Sequence, residues 1–204
     1  MKTGLIIFIR NPVAGKVKTR IAKTMGDEKA LLIYNQLLAH TRRVTLDLHC
    51  DKFLYYSDRA DQNDIWENDR FHKKVQHPGD LGLRMSNAFN ELFKEGYNKL
   101  LIIGSDCIEL NELIINNAFE TLNNCQVVIG PSSDGGYYLL GMTTYFPGLF
   151  LNKEWGMASV LKDTLQDLAN LNISVEELVM LNDIDEEKDL PDSLLNLSLS
   201  KQKF

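Results

Sequence analysis

The sequence predicts an α/β protein: a Rossmann-like three-layer α/β/α sandwich around a mostly parallel mixed sheet. Three observations lead there. Short apolar runs, such as Leu5–Ile9, Phe53–Tyr56 and Leu100–Ile103, stop at a turn or an acid, as buried strands do. Longer stretches with apolar residues at the helical period of 3.6 lie between them. The chain has 204 residues, 44% hydrophobic and 25% charged, enough for one domain with a full core and of ordinary globular composition. Strands alternating with helices place the helices on both faces of the sheet.

Leu5–Ile9 reads as the first strand. The loop Arg10–Lys18 follows, broken by Pro12 and Gly15. A helix opens near Thr19. A longer one runs from Asp27, its expected N-cap, to about Leu48, with Ala30, Leu31, Tyr34, Leu37, Leu38, Thr41 and Val44 on its inner face. Phe53–Tyr56 is a second strand, and the polar stretch Asp58–Asp69 a short helix or loop. Lys73–Gln76 is a brief strand near an edge. Pro78 and Gly79 make a turn, after which Asp80 caps a helix to about Gly96 that buries Leu83, Met85, Ala88, Phe89, Leu92 and Phe93. The strand Leu100–Ile103 ends in Gly104, Ser105 and Asp106. A helix over Asn111–Leu122, a strand over Gln126–Gly130 and a further strand within Pro131–Met142 follow. Asn152–Met157 is a loop, Ala158–Leu171 a helix and Glu177–Leu181 the last strand. One domain therefore covers 1–190. The tail 191–204, rich in Ser, Asn and Leu, reads as a helix or a partly disordered segment.

The net charge of −6 argues against a nucleic-acid partner. Its distribution is uneven. Lys2, Arg10, Lys16, Lys18, Arg20 and Lys23 precede Asp27 with no acid among them, so the rest of the chain carries −12. One basic loop on an acidic protein points to a small anionic ligand. No apolar run reaches the roughly 18 residues of a membrane span. Three cysteines without metal-like spacing fit a reducing cytoplasm. Homo-oligomerisation is left open.

Three groups of residues carry chemistry. Lys16, Lys18 and Arg20 cluster about Gly15, between a strand and a helix start. Glycine admits close approach of a phosphate, the helix start offers amide donors, and the cations neutralise charge. The pattern is neither a Walker A loop nor GxGxxG, and a solvated basic loop is the plainer alternative. Asp106, Asp134, Asp183 and Asp185 sit at strand ends or turns. Two such acids suffice for magnesium, which keeps waters and substrate phosphate oxygens as its other ligands. Taken singly, each also reads as a turn or helix-capping residue. Gln76 is placed to read a base edge, while Asp80 and Arg84, four apart, either serve a ligand or pair on one helix face. Cys107 has no activating base nearby and reads as a buried bystander. Trp155 and Gly156 line a pocket or pack in the core.

Taken in order, these segments resemble the GT-A-fold nucleotidyltransferase and nucleotide-sugar transferase superfamily. Those carrying the resemblance are Pro12 with Gly15–Arg20, Gly79–Met85, Gly104–Cys107, Gly130–Gly141, Trp155–Gly156, Asp183–Asp185 and Asp189–Leu190. Within the superfamily the chain looks most like the uncharacterised bacterial rSAM/selenodomain-associated transferases. Guanylyltransferases for phospholactate and for the molybdenum cofactor are more distant. The resemblance implies that Gly15–Arg20 binds nucleotide phosphates, with Lys16, Lys18, Arg20 and Asp106 as catalytic residues. Gln76, Asp80 and Arg84 complete the nucleotide site. It implies that Asp106 and Asp185 hold Mg²⁺ or Mn²⁺, and that Asp134, Gly135, Gly136 and Tyr137, with Trp155, face a small-molecule acceptor. The chain departs from the pattern at Ile108, where proline is usual, and at Glu186–Glu187, where Thr-Pro is usual. The implied reaction is metal-dependent nucleotidyl transfer from a nucleoside triphosphate to a phosphorylated acceptor. Glycosyl transfer from a nucleotide sugar is the alternative, and nucleotide binding without catalysis is a second one.

Overall fold

The computed structural model describes residues 1–196. Seven strands form one sheet: β1 (Thr3–Ile9), β2 (Asp51–Tyr56), β3 (His72–Val75), β4 (Lys99–Ile103), β5 (Val127–Pro131), β6 (Tyr137–Met142) and β7 (Val175–Glu177). Their order across the sheet is β3-β2-β1-β4-β6-β5-β7. β1 pairs in parallel with both β2 and β4, while β6 runs antiparallel to both its neighbours, β4 and β5. This is the expected mostly parallel mixed sheet.

The helices are α1 (Thr19–Met25), α2 (Asp27–Thr45), α3 (Leu81–Lys94), α4 (Glu112–Thr121), α5 (Val160–Asn170) and α6 (Asp192–Leu195). Alternation along the strands sorts the core into two layers. Leu5, Ile7 and Ile9 of β1, with Leu101 and Ile103 of β4, pack against Tyr34 and Leu38 of α2 and Ile115 and Ala118 of α4. Ile6, Leu100 and Ile102 face the other way, onto Met85, Phe89 and Leu92 of α3 and Leu168 of α5. Each fully buried side chain of this kind contributes about 1.5–3 kcal/mol. A third cluster joins Ile21 of α1, Ile33 and Leu37 of α2, and Ile184, Leu190 and Leu194 of the C-terminal segment.

Most expected elements are present, with three corrections. Gly26, rather than Asp27, caps α2, and Asp27 lies within its first turn. Leu83 is 47% exposed, because the inner face of α3 runs through Met85, Ala88, Phe89 and Leu92. The last strand is β7 at Val175–Glu177. Farther on, Leu181 forms only an isolated bridge to Ser132. Of the two alternatives for Asp58–Asp69, helix or loop, the structure has the loop, built of turns and packed through Trp66, which is 2% exposed. The short edge position of β3 is as expected. Of the tail, residues 192–195 are helical and Leu194 is buried, while the expectation for 197–204 lies outside the described residues. Among the described residues, no helix is long and apolar enough to cross a membrane. All three cysteines are free thiols.

Candidate functional site

Strand order reverses between β1 and β4. From β1 the chain builds outward through β2 to β3, then returns to place β4 on the other side of β1. A crevice forms beyond the carboxyl ends of strands at such a switch point. Here it is a cleft of about 630 Å³, reached by Arg10 after β1, Ser57 after β2, Gln76 after β3 and Ser105–Asp106 after β4. The start of α3, Asp134 and Gly136, Trp155–Met157, and Asp183 and Asp185 close it.

Asp106 is not a helix cap. Asn111 caps α4, accepting from the Ile114 amide at 3.1 Å, which leaves Asp106 facing the cleft. Its main-chain oxygen accepts from the Ile184 amide at 2.9 Å, pinning the C-terminal segment to the end of β4. Asp185 is thereby brought alongside. The Asp189 carboxylate accepts from the amides of Asp185 and Glu186 at 3.2 and 2.8 Å and closes the turn that carries Asp185. With Glu186–Glu187 in place of Thr-Pro, the turn is held by this capping arrangement. Ile108, at the other departure, packs against the cluster of α1, α2 and the C-terminal segment.

Lys18 lies between these acids. Its Nζ is 2.7 Å from Asp106 Oδ1 and 3.3 Å from Asp185 Oδ1, and it donates to the Ile184 carbonyl at 2.5 Å. The side chain is 6% exposed, against 43% for each acid. Lys18 has left-handed backbone angles, φ 45° and ψ 46°, as the residue before α1. That conformation costs a non-glycine residue roughly 1–2 kcal/mol and is characteristic of functional sites. The Lys18 ammonium, expected to face phosphate, is engaged here with the carboxylates. Arg20, 63% exposed and 3.7 Å from Asp185 Oδ2, does present its guanidinium to the cleft. Gly15 and Lys16 are not part of the cleft wall. Gly15 backs onto the Asp27 carboxylate.

Gln76 donates through Nε2 to the carbonyls of Ile9 and Tyr55, both at 3.0 Å, which leaves only Oε1 for other partners. Arg84 Nη1 reaches that oxygen at 3.3 Å, and Arg84 Nε donates to the Gly79 carbonyl at 2.7 Å. Asp80 does not pair with Arg84. It caps α3 by accepting from the Leu83 amide at 2.8 Å. All three residues line the cleft as a connected group.

Asp134 is exposed and accepts from the Gly136 amide at 2.9 Å, so it both shapes its turn and lines the cleft. Gly135 is not in the wall: a Cβ there would lie 2.2 Å from the Ala158 carbonyl oxygen, so its role is to let the turn dock on the start of α5. Tyr137 lines the cleft, but its hydroxyl is buried and burial raises its pKa, so the hydroxyl is not offered to the cleft. Trp155 lies flat over Gly82, whose missing Cβ would fall 2.2 Å from the indole nitrogen.

Tyr34 and Arg10 are cleft residues that no motif marks in sequence, and they share the cleft with Asp183, one of the four candidate carboxylates. Tyr34, from α2, donates to the Arg10 carbonyl at 3.1 Å and accepts from the Arg10 amide at 2.8 Å, clamping the loop after β1. Burial and the nearby Asp106 charge hold its phenol protonated. Asp183 accepts from Ser132 Oγ at 3.0 Å. Burial, reinforced by the Asp106 carboxylate, pushes its pKa up to about 7. Arg10 adds a cation at the end of β1, where its position ahead of Pro12 is the one available clue. Cys107 is inert, its thiol pushed up to about 12 by burial.

A family model described as an uncharacterized protein conserved in bacteria (DUF2064) matches residues 40–157, over half of the chain. The chain belongs to this family. The DUF2064 match includes Asp106, Asp134 and Trp155; the basic loop and Asp185 lie outside it. A comparison with curated proteins returns no match. Among solved structures, a protein from Desulfovibrio desulfuricans G20, provisionally named a nucleotide-diphospho-sugar transferase, is 26% identical. The alignment covers 97% of this chain and 92% of that one, with a TM-score of 0.86. A 4-diphosphocytidyl-2C-methyl-D-erythritol synthase from Anaerococcus prevotii DSM 20548 is 12% identical, over 92% and 94% of the two chains, with a TM-score of 0.58. Rv0371C from Mycobacterium tuberculosis H37Rv, solved in complex with manganese, is also 12% identical, over 96% and 98%, with a TM-score of 0.55. The DUF2064 chain thus has the fold of the nucleotide-sugar and nucleotidyltransferase superfamily.

Proposed function

We propose that this protein is a divalent-metal-dependent nucleotidyltransferase that joins a nucleoside triphosphate to a small phosphorylated acceptor and releases pyrophosphate. The observation that carries the reading is the cleft at the switch point, where Arg10, Arg20 and Arg84 face a pair of carboxylates gathered around a single cation. The names of the neighbouring structures support it: one is a cytidylyl-transferring synthase, another a manganese complex.

The donor set fits the metal. Among the described residues, no three His, Cys, Asp or Glu side chains form a ready cluster. Yet Asp106 Oδ1, Asp185 Oδ1 and the Ile184 carbonyl converge on one positive charge, and they are hard oxygen ligands. Mg²⁺ and Mn²⁺ need only one or two carboxylates when substrate phosphates supply the rest. A bound ion of this kind supplies charge neutralisation at the phosphates and a template for in-line attack.

The chain's own residues do the positioning. Arg20 binds and neutralises the phosphates that leave as pyrophosphate. Arg84, held by Gly79 and Gln76, orients the nucleoside side of the cleft. The Asp134 turn and Trp155 hold the acceptor so that its phosphate oxygen faces the α-phosphorus. A phosphate nucleophile is already ionised and needs no general base, so the rate gain comes from alignment and preorganised charge.

Glycosyl transfer from a nucleotide sugar is a second reading, favoured by the name of the 26%-identical structure. Product analysis separates the two. The purified protein is incubated with Mg²⁺, each nucleoside triphosphate or nucleotide sugar, and a panel of phosphorylated acceptors. Pyrophosphate release that depends on acceptor and metal is the expected result. Release of a nucleoside diphosphate from a nucleotide sugar would replace nucleotidyl with glycosyl transfer. No turnover and no nucleotide-dependent rise in melting temperature would remove both.

A further inference from the structure

The Lys18 ammonium has no donor hydrogen left over. Its three N–H bonds are matched by three oxygens, on Asp106, Asp185 and Ile184, and at 6% exposure it is shut off from water. The left-handed backbone at Lys18 turns the side chain inward from the start of α1, while Arg20 on the same turn faces out. A sequence reading that assigns Lys18 to phosphate and a structure that assigns it to carboxylates describe two positions of one flexible four-carbon side chain.

We infer that Lys18 is an internal exchange cation: it occupies the Asp106–Asp185 pair in the empty protein, and uptake of a divalent metal by that pair displaces it. This rests on the metal-dependent reading above. Two cations cannot share the same carboxylate oxygens at these distances without strong repulsion, so arrival of the metal ejects the ammonium from the pair. The expelled ammonium stays tethered at the start of α1, beside Arg20, where a nucleotide's phosphates are the remaining anionic partner. Metal and nucleotide binding are thereby coupled: the metal sets free a phosphate ligand, and the nucleotide, by holding Lys18 away, strengthens the metal site. Without Lys18, two like charges would face each other across the empty pair, which accounts for a strained backbone being retained there.

The test uses the full chain and Mn²⁺ alone, with no nucleotide, so it is independent of which reaction the cleft performs. Mn²⁺ affinity is measured by calorimetry and by the paramagnetic resonance of free Mn²⁺, in the wild type and in Lys18→Met. The variant keeps the length of the side chain and removes its charge. The expected result is roughly tenfold or more tighter Mn²⁺ binding by Lys18→Met, in the range of ordinary coupling between sites, with the tighter binding abolished by adding Asp185→Asn. A second measurement does not depend on the variant folding. In the wild type, Lys18 is protected from an amine-acylating reagent and becomes labelled when Mn²⁺ is added, as read by peptide mass spectrometry. Equal or weaker Mn²⁺ binding by a folded Lys18→Met, or Lys18 labelling unmoved by saturating Mn²⁺, overturns the exchange and leaves the metal-dependent reading intact. Absence of Mn²⁺ binding in both proteins overturns the metal-dependent reading and the exchange with it.

Discussion

Arg20 is an exposed cation on the first turn of α1. It is 63% exposed and contacts Asp185 only at 3.7 Å, so its guanidinium is free to be taken by a ligand at small cost to the fold. In Arg20→Ala, kcat/KM for pyrophosphate release falls on the order of 10²-fold, as when one preorganised charge-stabilising donor is removed. The melting temperature stays near that of the wild type. Unchanged kcat/KM would move phosphate recognition to Arg10 and Arg84. At this scale the sequence singles out Asp106, Asp185 and Arg20, which the fold brings together at the cleft. Asp106 and Asp185 are legible because an acid after a buried strand faces the crevice and not the core. Gly15 and Lys16 are misplaced because a basic run does not say which residue turns inward. The left-handed angles at Lys18, which decide it, belong to a residue type with no sequence preference for them.

Helices with clear caps and strands with apolar runs are read well because each signal is local. Asp80 and Asn111 each cap the helix that follows. The displaced last strand, β7, is three residues long with two glutamates, so its pairing with β5 is set by the sheet edge and not by its own pattern. Contacts between elements are less legible still. His40, on α2, illustrates this. Its Nε2 donates to the Leu110 carbonyl at 2.8 Å and its Nδ1 accepts from Arg43 at 2.9 Å, so the neutral ring ties α2 to the segment leading into α4. Burial lowers its pKa from 6.5. Between the folded value and 6.5 the unfolded chain holds a proton that the native chain does not, so stability rises with pH across that window. The contribution of His40 is complete above 6.5 and is lost as pH falls through the folded value. His40→Leu costs about 1 kcal/mol at pH 7.5, the worth of the hydrogen bond it removes. Melting curves taken from pH 7.5 to 5 show the gap between wild type and variant narrowing as pH falls. A gap of constant width would mean that the ring does not titrate differently in the folded state.

The alternation of strands and helices announces a mostly parallel sheet, but assembly of the site depends on a return of the chain that no local signal announces. Lys18 and Asp185 are 167 residues apart in sequence and meet because the segment from Ile184 to Leu194 folds back over α1 and α2. Ile184, Leu190 and Leu194 are 2%, 6% and 5% exposed, and they pack on Ile21, Ile33 and Leu37. A periodicity search misses this because the three positions lie in turns and a short helix. The same apolar cluster therefore supports one half of the proposed metal pair and its counter-ion: Asp185 rides on the returning segment, and Lys18 stands at the start of α1. Leu194→Ala removes a buried side chain at the far end of that clip, beyond the loop that carries the acid. It lowers stability by about 2 kcal/mol, the low end of the range for truncating a buried leucine. If the returning segment positions Asp185, Mn²⁺ affinity falls in parallel, and saturating Mn²⁺ recovers less of the lost melting temperature than in the wild type. A variant that melts earlier yet binds Mn²⁺ with unaltered affinity would show that the Ile184–Asp106 hydrogen bond and the Asp189 cap hold Asp185 without help from the cluster.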